Sequence, residues 1–156
     1  MTAPEPMSLD NCAREFDVTQ HIGYALTQTD SACQLALTAE LAPYAITVRQ
    51  SQILGWIRKK GDLSQCQLAR FLTIEPATLV GILERMERDG LILRISDRSD
   101  RRRKLIRFNR HGEELAETVV ECSARVCARA LQGLSPEQID LLHELLKRIL
   151  ENLSKH

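Results

Sequence analysis

The hydrophobic pattern changes its period at Gly90, and this change constrains the fold more than any other feature of the chain. Before Gly90 the apolar residues recur every three or four positions, which is typical of a helix with one buried face. After it come two short segments, LILRI at 91–95 and KLIRF at 104–108, which are typical of half-buried strands. The stretch SDRSDRRR joins them. The sequence therefore predicts a helix that leads directly into a β-hairpin with a charged tip.

A period of two assigns one face of each hairpin strand to the core. The residues expected to face inward are Leu91, Leu93 and Ile95 in the first strand, and Ile106 and Phe108 in the second, which starts at Lys104.

Three capping boxes indicate where helices begin. In such a box a Thr or Ser side chain accepts a hydrogen bond from an amide of the first turn, and a Gln three residues later reaches back to the cap. The boxes start at Thr47, Ser64 and Ser135. Thr73 is the expected cap of the helix that leads to the hairpin, and Asn109 is the expected cap of the long helix behind it.

These elements predict a mainly α-helical protein with a small β-hairpin wing. Helices at 47–60, 64–71 and 75–89 are followed by the hairpin at 91–108, and a tight three-residue turn joins the last two helices. This order is that of a winged helix-turn-helix. The second helix of such a unit can enter a DNA major groove, which is about 12 Å wide, while the wing lies over the backbone and minor groove.

The positive charge is concentrated around the predicted hairpin. The whole chain has 21 basic and 21 acidic residues, but residues 94–110 contain eight basic and two acidic ones. Segregated charge of this kind indicates a polyanionic partner, because each phosphate that a cation neutralises releases condensed counterions. The alternative is a solvated loop whose ion pairs cancel, and the lopsided net charge argues against it. We therefore expect double-stranded DNA as the partner.

The last helix is more apolar than contact with one neighbour requires. We interpret it as part of a homodimer interface, together with the helix before it and the N-terminal helix. The residues expected at this interface are Phe16, Leu142, Leu145, Leu146, Ile149 and Leu153. The alternative is that the helix folds back onto its own chain.

The predicted organisation has four parts. They are a flexible arm at 1–8, an N-terminal helical dimerisation segment at 9–45, the winged helix-turn-helix lobe at 46–109 and C-terminal dimerisation helices at 110–156. The winged lobe is thus flanked on both sides by helices that we expect to dimerise.

Other classes of protein lack support in the sequence. No P-loop, GxGxxG, HExxH or nucleophile elbow occurs, so we predict neither an enzyme nor a cofactor. The four histidines show no ligand spacing, so no metal site is predicted. No long apolar run or secretory signal occurs, and the five scattered cysteines are typical of free thiols in a reducing compartment. We expect a cytoplasmic protein without a membrane partner.

The stretch LARFLTIEPATLVGILERMERDGLILRISDRSDRRRKLIRFNRHGEEL, residues 68–115, resembles the winged-helix core of the multiple antibiotic resistance regulator (MarR) family, nearest its SlyA-like members. The matching motifs are the LA pair at 68–69, the helix and its exit from 78 to 94, the Asp-x-Arg wing motif at 100–102, and HGEEL at 111–115. The resemblance implies a homodimer whose two lobes bind a pseudo-palindromic operator. Family members are usually repressors that a small phenolic or anionic ligand, or oxidation of a cysteine, releases from DNA.

The resemblance also implies roles for individual residues. Arg102 would be the wing arginine in the minor groove, with Asp100 bracing it. Thr78 would reach a base edge or a phosphate, and Arg85 a phosphate. Many relatives have an arginine where this chain has Gly81, which removes one candidate base contact. The full set expected at the DNA is Ser64, Gln65, Pro76, Ala77, Thr78, Arg85, Arg98, Asp100, Arg101, Arg102, Arg103 and Lys104.

The effector would bind in a cleft between the dimerisation helices and the winged lobe. The candidate residues for this cleft are His21, Tyr24, Tyr44, Arg49 and Trp56. The alternative to ligand binding is a structural role in the core for Tyr24 and Trp56, and an exposed position on the helix surface for Arg49.

Two alternative functions remain open at this point. One is a redox-sensing regulator of the same family. In such regulators the sensing cysteine stands in a pattern like LCFAL. The corresponding segment here is IGYAL, which has Gly23 where the cysteine would be. The other is a winged helix that binds proteins, against which the arginine-rich wing argues, since a protein-binding wing needs apolar anchors.

Overall fold

The computed structural model describes residues 18–97 and 104–154. The helices in these ranges are α1 (Ile22–Leu41), α2 (Val48–Lys60), α3 (Gln65–Leu72), α4 (Pro76–Arg88), α5 (Arg110–Ala130) and α6 (Pro136–Leu153). The strands are β1 (Leu63–Ser64), β2 (Ile92–Ser96) and β3 (Lys104–Phe108). Short 3₁₀ turns occupy Val18–Gln20 and Ala42–Tyr44. The fold is therefore mainly α-helical with one small sheet, as the sequence predicts.

The described chain divides into two compact units, with the boundary between them after Leu35. Most of α1 lies in the first unit, and its last turn lies in the second. The second unit contains the whole predicted winged lobe together with α5 and α6. The four-part organisation predicted from the sequence stays a prediction.

The predicted helix caps are confirmed with one exception. Thr47 Oγ1 accepts a hydrogen bond from the amide of Gln50 at 3.2 Å, and Gln50 Oε1 accepts one from the amide of Thr47 at 2.8 Å. The same reciprocal bonds begin α3 at Ser64 and α6 at Ser135. Asn109 Oδ1 accepts from the Gly112 amide at 2.8 Å and so caps α5. Local side-chain chemistry therefore sets most helix starts in this chain.

Thr73 is the exception, and its predicted role is wrong. It adopts a left-handed conformation with φ 51° and ends α3, its amide bonding back to the carbonyls of Ala69 and Arg70. Glu75 occupies the cap position of α4 instead, without a side-chain capping bond, and Pro76 begins the helix. A turn of only three residues leaves Thr73 to satisfy the end of one helix rather than the start of the next.

The sheet is antiparallel, with strand order β1-β3-β2. Its register pairs Ile92 with Phe108 and Arg94 with Ile106. Ile92 and Ile106 are buried and Phe108 packs against the core, so the predicted inward face of β3 is confirmed.

The predicted inward face of the first hairpin strand is wrong by one residue. Leu91 is buried but precedes β2, where its amide bonds to the carbonyl of Met86 at 2.8 Å. The strand begins at Ile92, and Leu93 is 47% exposed on the outer face. The tight turn at Gly90, which has φ 70°, adds one residue before the pleat starts.

The core of the second unit lies between α2, α3, α4, α5 and the sheet. Its largest fully buried side chains are Leu41, Ile53, Leu54, Leu68, Leu79, Leu83, Met86, Ile92, Ile106 and Cys122. Because α3, α4 and the hairpin all pack against this core, the core determines which side of α4 is exposed.

Helix α6 contributes no buried residue to the described structure. Its exposed apolar side chains include Leu142, Leu145, Leu146, Leu150 and Leu153. Within the described ranges, no single helix is long and apolar enough to cross a membrane; α3 and α4 meet that test only as a pair bent by 112°.

Candidate nucleic-acid interface

Helix α4 has one buried and one exposed side. Leu79, Ile82, Leu83 and Met86 form the buried stripe, while Pro76, Ala77, Thr78, Arg85 and Arg88 are exposed. The three residues 73–75 join it to α3, as expected for a helix-turn-helix. The amides of its first turn lack helical acceptors, so this end of α4 presents hydrogen-bond donors as well as exposed side chains.

The structure contradicts the prediction that Ser64 contacts DNA. The residue is 5% exposed, and its Oγ accepts a hydrogen bond from the amide of Gln67 at 3.3 Å. A hydroxyl that is buried and used for capping is not available to DNA, so we remove Ser64 from the candidate contacts. Gln65 follows it at the start of α3 and is half-buried.

Two side-chain contacts hold the described part of the wing in place. Lys104, the first residue of β3, is exposed, and its Nζ donates to Ser96 Oγ at 2.8 Å across the hairpin. Arg94 on β2 forms an ion pair with Glu87 of α4, with Nη1 3.5 Å from Oε2. The hairpin is therefore held both to itself and to α4. The predicted tip contacts Arg98, Asp100, Arg101, Arg102 and Arg103 lie outside the described residues.

The base of the wing contains an ion pair that no local sequence pattern predicts. Arg107 Nε lies 2.9 Å from Oδ1 and 3.1 Å from Oδ2 of Asp62. These hydrogen bonds lower the pKa of the Asp62 carboxyl, and they raise the pKa of Arg107. Arg58 on α2 similarly pairs with Glu117 on α5. Both pairs join residues far apart in the chain and were not among the predicted site residues.

The five effector candidates fall in two units. His21 and Tyr24 belong to the first, where Tyr24 is exposed and His21 Nδ1 accepts the Gly23 amide at 3.2 Å. The other three, which are Tyr44, Arg49 and Trp56, belong to the second.

Arg49 and Trp56 both contact the end of α3. Arg49 Nη1 donates to the carbonyl of Leu72 at 3.4 Å. Trp56 stacks on Phe71 with ring centroids 4.3 Å apart and an interplanar angle of 11°, and Lys59 Nζ lies 5.5 Å from the Trp56 ring. These contacts hold α2 against the helix-turn-helix and favour a structural role for Arg49 and Trp56.

The described cysteines differ in their access to solvent. Cys66 on α3 and Cys127 on α5 are exposed, and Cys33 is half-buried. Cys122 is fully buried, and its Sγ lies 3.6 Å from the carbonyl oxygen of Glu40 and accepts from Arg125 Nη2 at 3.3 Å. An oxidant in solution would therefore meet Cys66 and Cys127 before it met Cys122.

A protein-family model matches this lobe. The model of the MarR family matches residues 46–104, which span α2, the helix-turn-helix and the hairpin up to the start of β3. Over this lobe the chain is similar to the MarR family. The resemblance to this family found in the sequence is thereby confirmed, while its SlyA-like subtype stays a prediction.

Two curated MarR-type relatives are similar over nearly their whole length. The HTH-type transcriptional repressor NicR of Pseudomonas putida is 26% identical over 95% of this chain and 93% of its own. The transcriptional activatory protein BadR of Rhodopseudomonas palustris is 27% identical over 99% of this chain and 91% of its own. Both of these relatives are named as transcription regulators.

A solved MarR structure shares the fold. It is a mutant MarR from E. coli complexed with operator DNA, with a TM-score of 0.79 and 21% identity over 88% of this chain and 99% of that one. The winged helix-turn-helix fold predicted from the sequence is confirmed.

Proposed function

We propose that this protein is a MarR-type transcription regulator that acts as a homodimer. It would bind a pseudo-palindromic operator, with α4 of each subunit in a major groove and the wing beside it. The observation that carries the proposal is the exposed side of α4. It presents first-turn donors, Thr78 and two arginines, while the opposite side is fixed in the core. The adjoining wing adds the densest cluster of cations in the sequence.

The proposed DNA contacts divide by chemistry. Pro76, Ala77 and Thr78 lie at the end of α4 that would meet base edges, where small side chains allow close approach. Lys104 and the arginines of the wing tip would contact phosphates and the minor groove. Gln65, at the start of α3, would contact the backbone beside the groove. These contacts combine base reading with positioning on the phosphates.

Dimerisation is proposed to involve the exposed apolar side of α6. This helix buries no residue within the described chain, and its leucines stand between 37% and 70% exposed. A second copy would cover them, and a two-fold axis would place two copies of α4 on successive turns of DNA. A monomer would meet only one half-site.

We propose repression as the direction of control and a small phenolic or anionic molecule as the signal that ends it. NicR is named as a repressor, whereas BadR is named as an activator, so relatives of equal similarity act in opposite directions. The resemblance to MarR-type repressors supports the effector proposal. His21, Tyr24 and Tyr44 remain its proposed contacts.

The decisive experiment is fluorescence anisotropy with the duplex upstream of the protein's own gene, beside a scrambled duplex, at two salt concentrations. A preference of about a thousandfold or more and a steep salt dependence are expected of a specific regulator. Equally weak binding to both duplexes, followed by failure to enrich any genomic site, would favour the protein-binding winged helix.

The same titration tests which chemical signal releases the protein from DNA. Release of the duplex by salicylate would support the effector proposal, and no release by any phenolic or aromatic acid would contradict it. Release by peroxide, reversed by a thiol reductant, would instead support the redox alternative and direct attention to Cys66 and Cys127.

A further inference from the structure

Gly81 stands in the middle of α4, where glycine is the poorest helix former after proline. A Cβ atom built on Gly81 would meet one described atom within 4 Å, which is Nη1 of Arg85 at 3.9 Å. The open space beside Gly81 is therefore the space in which the Arg85 guanidinium lies.

Helix geometry explains this position. Side chains of a helix lean toward its N-terminus, so a long side chain lies over the residue four positions earlier. Four residues correspond to about 6 Å along the axis. The guanidinium of Arg85 is thus displaced by one turn toward Thr78 and the end of α4 that would meet base edges.

Arg85 also keeps its hydrogen-bonding capacity. Its side chain is exposed, and it forms no ion pair with any residue in the described ranges. Arg88 on the same helix differs, because its Nε lies 3.3 Å from Oδ1 of Asp89. The five N–H donors of the Arg85 guanidinium remain available to a ligand.

We infer that Arg85 reads a guanine in each half-site, and that Gly81 is the specificity-determining partner that leaves room for its guanidinium. This inference rests on the proposed function. Arginine binds guanine O6 and N7 with two parallel hydrogen bonds in the major groove. Ala77 and Gly81 are both small, so the backbone of α4 can approach the groove floor closely enough for that geometry. The role differs from the phosphate contact expected from the sequence position alone.

The test begins with selection of duplexes from a pool randomised over roughly two helical turns, using the wild-type dimer. Each G·C pair of the selected consensus is then replaced, and the preference ratio between original and replaced duplex is measured. Arg85→Ala and Arg85→Lys should lose the preference at one G·C pair per half-site by roughly 5- to 150-fold. Arg88→Ala, which removes the same charge, should weaken all duplexes alike.

Gly81→Leu should abolish the same preference although Arg85 is present, and it should cause no further loss in the Arg85→Ala background. Gly81→Ala should keep the preference, since its Cβ meets Arg85 at an ordinary contact distance. A Gly81→Leu protein that keeps the preference would overturn the role of Gly81. If Arg85→Ala weakened all duplexes equally, Arg85 would bind a phosphate and the inference would be wrong while the proposed function stood. If the wild-type protein enriched no consensus, the proposed function itself would fail.

Discussion

The guanidinium of Arg107 donates to both carboxylate oxygens of Asp62, at 2.9 and 3.1 Å from its Nε. Asp62 lies between α2 and β1, and Arg107 lies on β3, so this pair ties the second strand of the wing to the end of α2. We predict that Asp62→Asn lowers the free energy of unfolding by less than about 1 kcal/mol, because the pair is only partly shielded from water. Urea denaturation measures this change. Glu114→Gln, which breaks the exposed pair with Arg110, is the control and should give no measurable loss.

The same pair predicts a pH dependence. The hydrogen bond from Arg107 lowers the pKa of Asp62 below its ordinary value of 3.8. The pair therefore stabilises the fold fully above that value, and its contribution is lost as the pH falls through the lowered pKa. NMR titration of the Asp62 carboxyl should show a midpoint below 3.8, which Arg107→Gln should move back toward 3.8. A midpoint at or above 3.8 in the wild-type protein would show that the pair does not persist in solution.

Gly112 explains part of the HGEEL motif in physical terms. It lies in the first turn of α5, and a Cβ atom there would stand 1.8 Å from the carbonyl oxygen of Leu91. We predict that Gly112→Ala destabilises the protein by about 3 kcal/mol or more, since the obstructing atom belongs to the backbone. Gly55→Ala is the matched control, because a Cβ on Gly55 meets no described atom within 4 Å. It should be neutral or stabilising by up to about 1 kcal/mol in thermal unfolding.

The sequence predicted those features that depend on residues close together in the chain. A capping box such as Thr47 with Gln50 needs only four residues, and its geometry is as expected. The prediction for the turn before α4 was wrong. The end of α3 and the start of α4 are only three residues apart, so Thr73 could serve as the cap of either helix. Local chemistry alone does not decide such a competition.

Other features depend on packing between distant segments. In LILRI four of five residues are apolar, so alternation does not decide which face is buried; the turn at Gly90 decides it. The pair between Asp62 and Arg107 spans 45 positions and leaves no local signal. The absence of a side chain at Gly81 is visible in the sequence, but the conformation that places the Arg85 guanidinium beside it is not.

The apolar side of α6 gives a prediction about assembly. Leu146 is 39% exposed in the single chain. Leu146→Glu should therefore leave each subunit folded while it places a charge in the proposed interface and favours the monomer. Sedimentation velocity measures the change, and Lys147→Glu, on the exposed polar side, should stay dimeric. A stable Leu146→Glu dimer would show that another surface joins the two copies.

The wing arginine gives the last prediction, which concerns DNA affinity. Arg102 belongs to the stretch SDRSDRRR between the two strands, and the resemblance of its Asp-x-Arg motif implies that it enters the minor groove. Arg102→Ala should weaken operator binding by about 1–3 kcal/mol and reduce the salt slope by about one counterion. Arg129→Ala is the control for loss of one positive charge, since Arg129 is exposed near the end of α5, far along the chain from the wing. Fluorescence anisotropy on the selected duplex distinguishes the two variants. An Arg102→Ala protein whose affinity matched that of Arg129→Ala would mean that the tip arginine makes no specific contact, and that the positive charge of the wing acts only through its long-range field.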